Sequence, residues 1–205
     1  MYSPTYNRIE DRAELLAFMR ANSFAVFVTG TGGTLHASHL PVRIVENEAN
    51  LVLDLHMAKN NPQWREFFDD EAMVVFSGPH AYVSPRWYED RERVPTWNYA
   101  AVHAYGIPVL IQEKSKKLAS QRRLVAEMDP QWLTKFDMLP GEYVDRMLDG
   151  IVNFEVPVRR LETRWKLSQN RGRREMELIA AQLDQSADSV ERALAELTRR
   201  HLVDS

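Results

Sequence analysis

The pattern of apolar and polar positions predicts a chain dominated by short strands, with helices inserted between them. Residues 11–22, DRAELLAFMRAN, carry Leu15, Leu16, Phe18 and Met19 on one face, and Asp11 and Glu14 have capping-box spacing, so a helix is expected. FAVFVTGTGGTLHASHLPVRIV, residues 24–45, reads as a hairpin: a β-branched and aromatic run from Phe24 to Thr29, a glycine-rich turn, then a second strand. Pro41 falls inside that second run and argues for an edge or a bulge. NLVLDLHM places Leu51, Leu53 and Leu55 on one face and Val52, Asp54 and His56 on the other. In NNPQWREFF, Asn61 is a suitable helix cap and Pro62 suits the first helical position. AMVVFS and HAYVS, then YAAVHAYGIPVLIQ with a break at Gly106–Pro108, continue the strands. Residues 114–128 are helical and mostly solvated, YVDRMLDGI is a short helix, and IVNFEVPVRRLETRWKL returns to strand alternation. Residues 172–201 read as two helices broken near DQSADS. Six or seven strands in succession, with helices inserted rather than alternating, predict a mainly β (α+β) fold, an antiparallel barrel with helical decoration.

Composition narrows the function classes. The 205 residues suit one domain, or one with an appendage, and 27% charged with 44% hydrophobic residues is an ordinary balance. The net charge of −3 lacks the basic footprint of a dedicated nucleic-acid binder. Without cysteine there is no disulfide, thiolate nucleophile or cysteine metal site. MYSPTYNRIED shows no basic-then-apolar leader, and no run reaches the length of a membrane span, so a cytoplasmic location is expected. GTGGT has no following Lys-Ser/Thr and is read as a hairpin turn, not a phosphate loop. His36 and His39, three apart on a strand, face opposite sides and cannot grip one metal. No metal site is expected.

Three stretches carry candidate chemistry. LHMAKNNPQW ends a strand at His56 and sets Lys59 and Asn60 before a helix start, where a cation, amides and free helical N–H groups would seat an anion; the alternative is a capped helix with a solvated lysine. GPHAYVSPRWYEDRERVPTWNYAAVHAYG, residues 78–106, holds two of the five tryptophans and four of the seven tyrosines. Its aromatics fall on both parities of a strand, so they cannot all enter one core. A planar ligand, a second subunit or an aromatic minicore would take the rest. RWKLSQNRGR sets Trp165, Lys166, Ser168, Gln169, Asn170 and Arg171 between a strand and a helix, a donor-rich run suited to a polyanionic or heteroaromatic ligand, or else a polar loop.

GPHAYVSPRWY, VPTWNYAAVHAYG and WKLSQNR, together with LHMAKNNPQW and HASHLPV, resemble the signature stretches of the PaiB family, described as FMN-binding negative transcriptional regulators. The resemblance runs in order over residues 1–173, taken as the barrel domain, with 174–205 as a C-terminal helical tail. It implies an antiparallel split β-barrel of the FMN-binding type, and a homodimer with flavin at the interface. Lys59 and Asn60 would hold the phosphate, with Ser38, His39 and His56 nearby. The backbone from Leu40 through Pro41 to Val42 would run beside the isoalloxazine. Trp97, Asn98 and Tyr99 would line the cleft, and Trp165, Lys166, Gln169, Asn170 and Arg171 would approach from the other subunit. Related oxidases use several cations for the phosphate, whereas this chain offers chiefly Lys59.

Split barrels of this kind accommodate a flavin-binding regulator, a flavin-dependent oxidoreductase acting on a small planar substrate, or a haem protein with His39, His56, His80 or His103 as axial ligand. No residue stands out as a catalytic acid or base. The preferred reading of the tail is two helices packed on the barrel or the dimer mate. It also resembles the last two helices of a winged-helix reader, with Ser186 or Ser189 as cap and Val190, Leu194 and Leu197 as an apolar stripe. However, Asp184, Asp188, Glu191 and Glu196 offset its arginines, which argues against direct DNA contact.

Overall fold

The computed structural model describes residues 1–46, 50–67, 70–89 and 92–203. Phe68 of the expected 60–68 helix, Asp90 and Arg91 of the aromatic segment, and the last two tail residues lie outside them. Among the described residues there are eight strands: β1 (Phe24–Thr31), β2 (Thr34–Glu46), β3 (Leu51–Ala58), β4 (Ala72–Val83), β5 (Thr96–Gly106), β6 (Val109–Ile111), β7 (Ile151–Pro157) and β8 (Arg160–Lys166). Six α-helices accompany them: α1 (Arg12–Ala21), α2 (Lys114–Met128), α3 (Leu133–Asp137), α4 (Gly141–Asp149), α5 (Arg173–Leu183) and α6 (Ser189–Arg200). The eight strands exceed the expected six or seven because the run 151–167, read as one stretch of strand alternation, forms two strands, β7 and β8. The five-residue α3 is too short to show a helical period and was not anticipated.

The chain forms two compact units. One comprises Met19–Val75 and Ala104–Leu161, with hydrogen-bonded order β6-β7-β3-β2-β1-β4. The registers of β1 with β2 and β4, β2 with β3, and β7 with β3 and β6 are antiparallel. Gly32 and Gly33, both at positive φ (58° and 84°), close the β1–β2 hairpin, a conformation open to glycine at little steric cost. β2 is interior to the sheet, yet at Pro41 it is paired on one side alone, so the proline sits at a local edge. Residues 34–41 of β2 pair with β1, and from Val42 onward β2 pairs with β3, so the proline falls where the strand exchanges partners. A residue without an N–H is tolerated at such a hand-over, and the next amide, Val42 N, donates to Ser23 O at 2.8 Å. The core here is Phe27, Val42, Leu53, Leu55, Val74, Phe154 and Val156, with the rings of Phe27, Phe67 and Phe154 4.7–5.5 Å apart.

Helix α2 is mostly solvated, as expected, and only Ser120 is buried. Ser120 Oγ donates to Asp54 Oδ1 at 2.7 Å and accepts from Asn153 Nδ2 at 3.3 Å, while Arg43 lies 3.7 Å from the same carboxylate. A polar clasp thus fixes α2 on the face of β3 and β7 that carries Asp54, His56 and Asn153. A buried carboxylate is tolerable because a donor and a cation meet it.

The other unit comprises Met1–Phe18, Phe76–His103 and Glu162–Ser205, with strand order β4-β5-β8. Asp11 caps α1, its Oδ1 accepting from Glu14 N at 3.0 Å, as its spacing predicts. Phe18 packs on Trp165 with centroids 4.5 Å apart, and Phe18 also lies over Gly78, where an added Cβ would come within 2.4 Å of the ring. Met176, Ile179 and Leu183 of α5 and Leu194 of α6 are fully buried in this unit. The cap of α6 is neither Ser186 nor Ser189 but Asp188, whose Oδ1 accepts from Val190 N at 2.8 Å; the carboxylate also suits the positive end of the helix. At the other end of α6, His201 Nε2 lies 2.5 Å from Glu14 Oε1 on α1.

Candidate functional site

The anion seat expected at 56–61 is built differently from its sequence signature. Pro62–Glu66 forms a single 3₁₀ turn, and Asn61 Oδ1 already accepts from Gln63 N at 3.0 Å, so no free helical N-terminus is presented. What remains is a fixed backbone with exposed side chains. Lys59 N donates to Gly150 O and Trp64 Nε1 donates to Lys59 O, both at 2.9 Å, while the Lys59 and Asn60 side chains face solvent. Beneath them runs a hydrogen-bond chain. Asn61 Nδ2 donates to Ser38 Oγ at 2.9 Å, and Ser38 Oγ donates to Gln63 Oε1 at 2.6 Å. Gln63, itself buried, donates from Nε2 to Thr29 Oγ1 at 3.1 Å and His36 O at 3.2 Å. His36 pairs with Glu66 at 3.3 Å. Ser38 therefore orders the Asn61–Gln63 turn. His39 is exposed beside Phe24, whereas Leu40 and Val42 are core residues and Pro41 is half-buried, so this stretch offers a ligand chiefly backbone.

His56 lies on the opposite face of β3 from Leu55, lining a cavity walled by α2, α3 and α4. Burial pushes its imidazole below the ordinary histidine value, and Asp54 offsets this in part.

In the other unit the aromatic segment divides. Tyr88 is buried, but Trp97 is 55% exposed and Tyr82 44% exposed. Trp97 gathers His80 and Tyr82, each with ring centroids 6.2 Å away, into one surface patch. Lys166 lies against it, with Nζ donating to Trp97 O at 2.6 Å and to Thr96 Oγ1. Burial, then the neighbouring Arg164, lowers the Lys166 pKa. Arg164 stands 5.5 Å from the Tyr99 ring and 5.4 Å from that of Tyr2. The remaining members of the WKLSQNR run serve the turn itself. Trp165 is fully buried against Phe18. Asn98 and Ser168 exchange hydrogen bonds at 3.0 and 3.1 Å, with Ser168 in the left-handed region at φ 67°. Gln169 accepts from Leu167 N and donates to Trp165 O. Asn170 is exposed and Arg171 half-buried. The structure thus brings Trp97, Asn98, Lys166 and Gln169 together, and Ser38 with the turn that follows Lys59 and Asn60. Sequence reasoning passed over Asn61 as a side-chain donor, Gln63 and Arg164 in these clusters, whereas Tyr82 belongs to the aromatic segment expected to face a ligand or a second subunit. Nothing local signals that Gln63 turns inward.

A family described as "Putative FMN-binding domain" matches residues 1–160. A protein of Bacillus subtilis, "Protease synthase and sporulation protein PAI 2", is 34% identical over 96% of each chain. The chain belongs to this PaiB family of FMN-binding domains. An uncharacterized protein of Emericella nidulans is also similar, 26% identical over 90% of this chain and 91% of its own. Among solved structures, an FAD and haem binding protein of Mycobacterium smegmatis superposes with a TM-score of 0.59 at 14% identity, covering 77% of this chain and 72% of that one. A flavocytochrome of Azotobacter vinelandii does so with a TM-score of 0.53 at 12% identity, covering 77% and 68%. At such identities the likeness concerns the fold, and with the family match it shows that this PaiB-family chain has the split-barrel fold expected from its sequence.

Proposed function

We propose that the chain binds FMN at the interface of a homodimer and acts as a flavin-responsive negative regulator of transcription, working through a partner rather than by reading DNA itself. The exposed patch of Trp97, Tyr82 and His80 carries this reading. Aromatic area of this kind on a sheet surface is unfavourable in water unless a ring system or a second subunit covers it. The residues fit the cofactor. Lys59 and Asn60 supply an exposed cation and amide for the phosphate, on a backbone pinned at both its N–H and its carbonyl. His39 and the backbone of Leu40 to Val42 offer edge contacts to a ring. Lys166, Asn170 and Arg171 supply donors toward the flavin of the second subunit. When bound, flavin provides a centre that takes up one or two electrons, and the protein's part is to bind, orient and shield it.

Two observations favour regulation without direct DNA contact. The relative's name ties it to protease synthesis and sporulation, which suits control of expression better than turnover of a metabolite. Four of the five tail arginines are engaged: Arg173 with Glu177, Arg174 with Glu89, Arg199 with Asp184, and Arg192 with Ser186 O, while Arg200 is exposed. The test is titration of FMN into ligand-free protein, followed by flavin fluorescence and sedimentation in parallel. Saturation at one flavin per chain in a dimeric species is expected. A monomer that does not quench the flavin would overturn the proposal.

A further inference from the structure

Between β6 and β7 the chain inserts α2, α3 and α4, and the insert is thinly packed: Ser120 and Leu148 are its only residues that are fully buried among those described. Trp132 and Phe136, four apart, place their rings 5.8 Å apart at α3. Tyr143 and Met147, also four apart, project from one side of α4. These apolar side chains do not close onto the sheet. They enclose, with His56 of β3 and Gln121 of α2, a cavity of about 300 Å³.

We infer that this cavity is a binding site for a small, uncharged, one- or two-ring aromatic molecule that carries a hydrogen-bond acceptor, and that it is distinct from the flavin seat. Three aromatic rings and several aliphatic side chains line it, and among the described residues no Asp, Glu, Lys or Arg does. A charged ligand would lose hydration there and meet no counter-charge. The volume lies at the lower end of ligand pockets, too small for a three-ring flavin with its phosphate chain. The anchor is Gln121. Its Nε2 is buried and has no hydrogen-bond partner among the described residues, in a wall that is apolar apart from His56 and the Tyr143 hydroxyl. An orphan buried donor is unfavourable until an acceptor reaches it, and a ligand oxygen or ring nitrogen would supply one. His56 adds a second polar contact, and burial favours its neutral form. Met147, 51% exposed, and the partly exposed Trp132 and Tyr143 keep the cavity reachable from solvent.

The inference stands apart from the flavin proposal, and one set of proteins tests both. Calorimetry with 2-naphthol is expected to show one site per chain. Its anionic counterpart 2-naphthoate, and naphthalene, which has no acceptor, should each bind at least tenfold more weakly. Gln121→Leu should weaken 2-naphthol at least tenfold, and Met147→Trp, which fills the cavity, should abolish binding. Both variants should titrate FMN as the parent does. Far-ultraviolet circular dichroism establishes that each is folded, and should Met147→Trp not fold, the Gln121→Leu comparison decides alone. Failure of the parent to bind 2-naphthol below millimolar concentration would overturn the inference. So would equal affinity in parent and Gln121→Leu, or a Met147→Trp protein whose dimer dissociates while 2-naphthol still binds.

Discussion

In the proposed flavin site, Lys59 is the residue on which the phosphate contact would turn. Its backbone is fixed by Gly150 and Trp64, and its side chain is exposed, so its removal should be felt by a ligand and not by the fold. Lys59→Ala should cost a charge-assisted hydrogen bond, about 1.5–3 kcal/mol, or roughly 10- to 150-fold in FMN affinity, with an unchanged melting temperature. Equal FMN affinity for variant and parent would place the phosphate elsewhere. Two histidines link single residues to pH. Burial holds both His56 and His103 below the ordinary value of 6.5; the N-terminal ammonium adds to the effect at His103, and Asp54 offsets it at His56. As pH falls through about 6.5 the unfolded chain takes up protons that the folded chain still refuses, so stability is full above that pH and declines below it. The melting temperature should fall between pH 7.5 and 5.5, and His56→Gln should remove part of that fall. A flat profile, or one that His56→Gln leaves unaltered, would contradict the burial argument. At this scale the sequence was least informative. WKLSQNR reads as a row of donors for a ligand, yet Asn98, Ser168 and Gln169 satisfy one another and their own turn. The strand period did contain the warning: Thr163, Trp165 and Leu167 share the inward face, and Arg164 and Lys166 the outward one.

Elements were more legible, because period and punctuation act locally. The β1–β2 hairpin, the capped α1, the solvated α2 and the two tail helices lie where the pattern puts them. Departures occur where a distant partner decides. Pro41 marks a local edge where β2 exchanges strand partners, and only the pairing of β2 with both β1 and β3 reveals the exchange. The tail illustrates the same limit. Its apolar stripe is plain in sequence, but Val190 stays 38% exposed while Leu194 is fully buried. Because Met176, Ile179, Leu183 and Leu194 are all fully buried, α5 and α6 contribute to the core of their unit. Leu194→Ala should destabilise by about 2–5 kcal/mol, read as a lower denaturation midpoint at unchanged slope. A change under about 0.5 kcal/mol would mean that the helices are a detachable appendage.

At the scale of the whole molecule, the net charge is −3 and Arg173, Arg174 and Arg199 of the tail are paired with carboxylates, which supports the proposal that DNA is not read directly. Duplex DNA should bind no better than about 10⁻⁵ M at physiological salt, in the non-specific range. Nanomolar, sequence-specific anisotropy changes that vanish on deleting residues 174–205 would restore direct repression. No helix among the described residues is long and apolar enough to cross a membrane. Family membership and fold follow from matches that span most of the chain, and long word-like stretches made them readable early. The cofactor's identity rests on fewer groups, since the split-barrel neighbours include both flavin and haem proteins. The most direct measurement is therefore absorbance and mass spectrometry of the ligand released from protein purified without added cofactor. FMN is predicted, with flavin absorption bands in the parent and a reduced yield from Lys59→Ala. A Soret band with released haem would contradict the central claim.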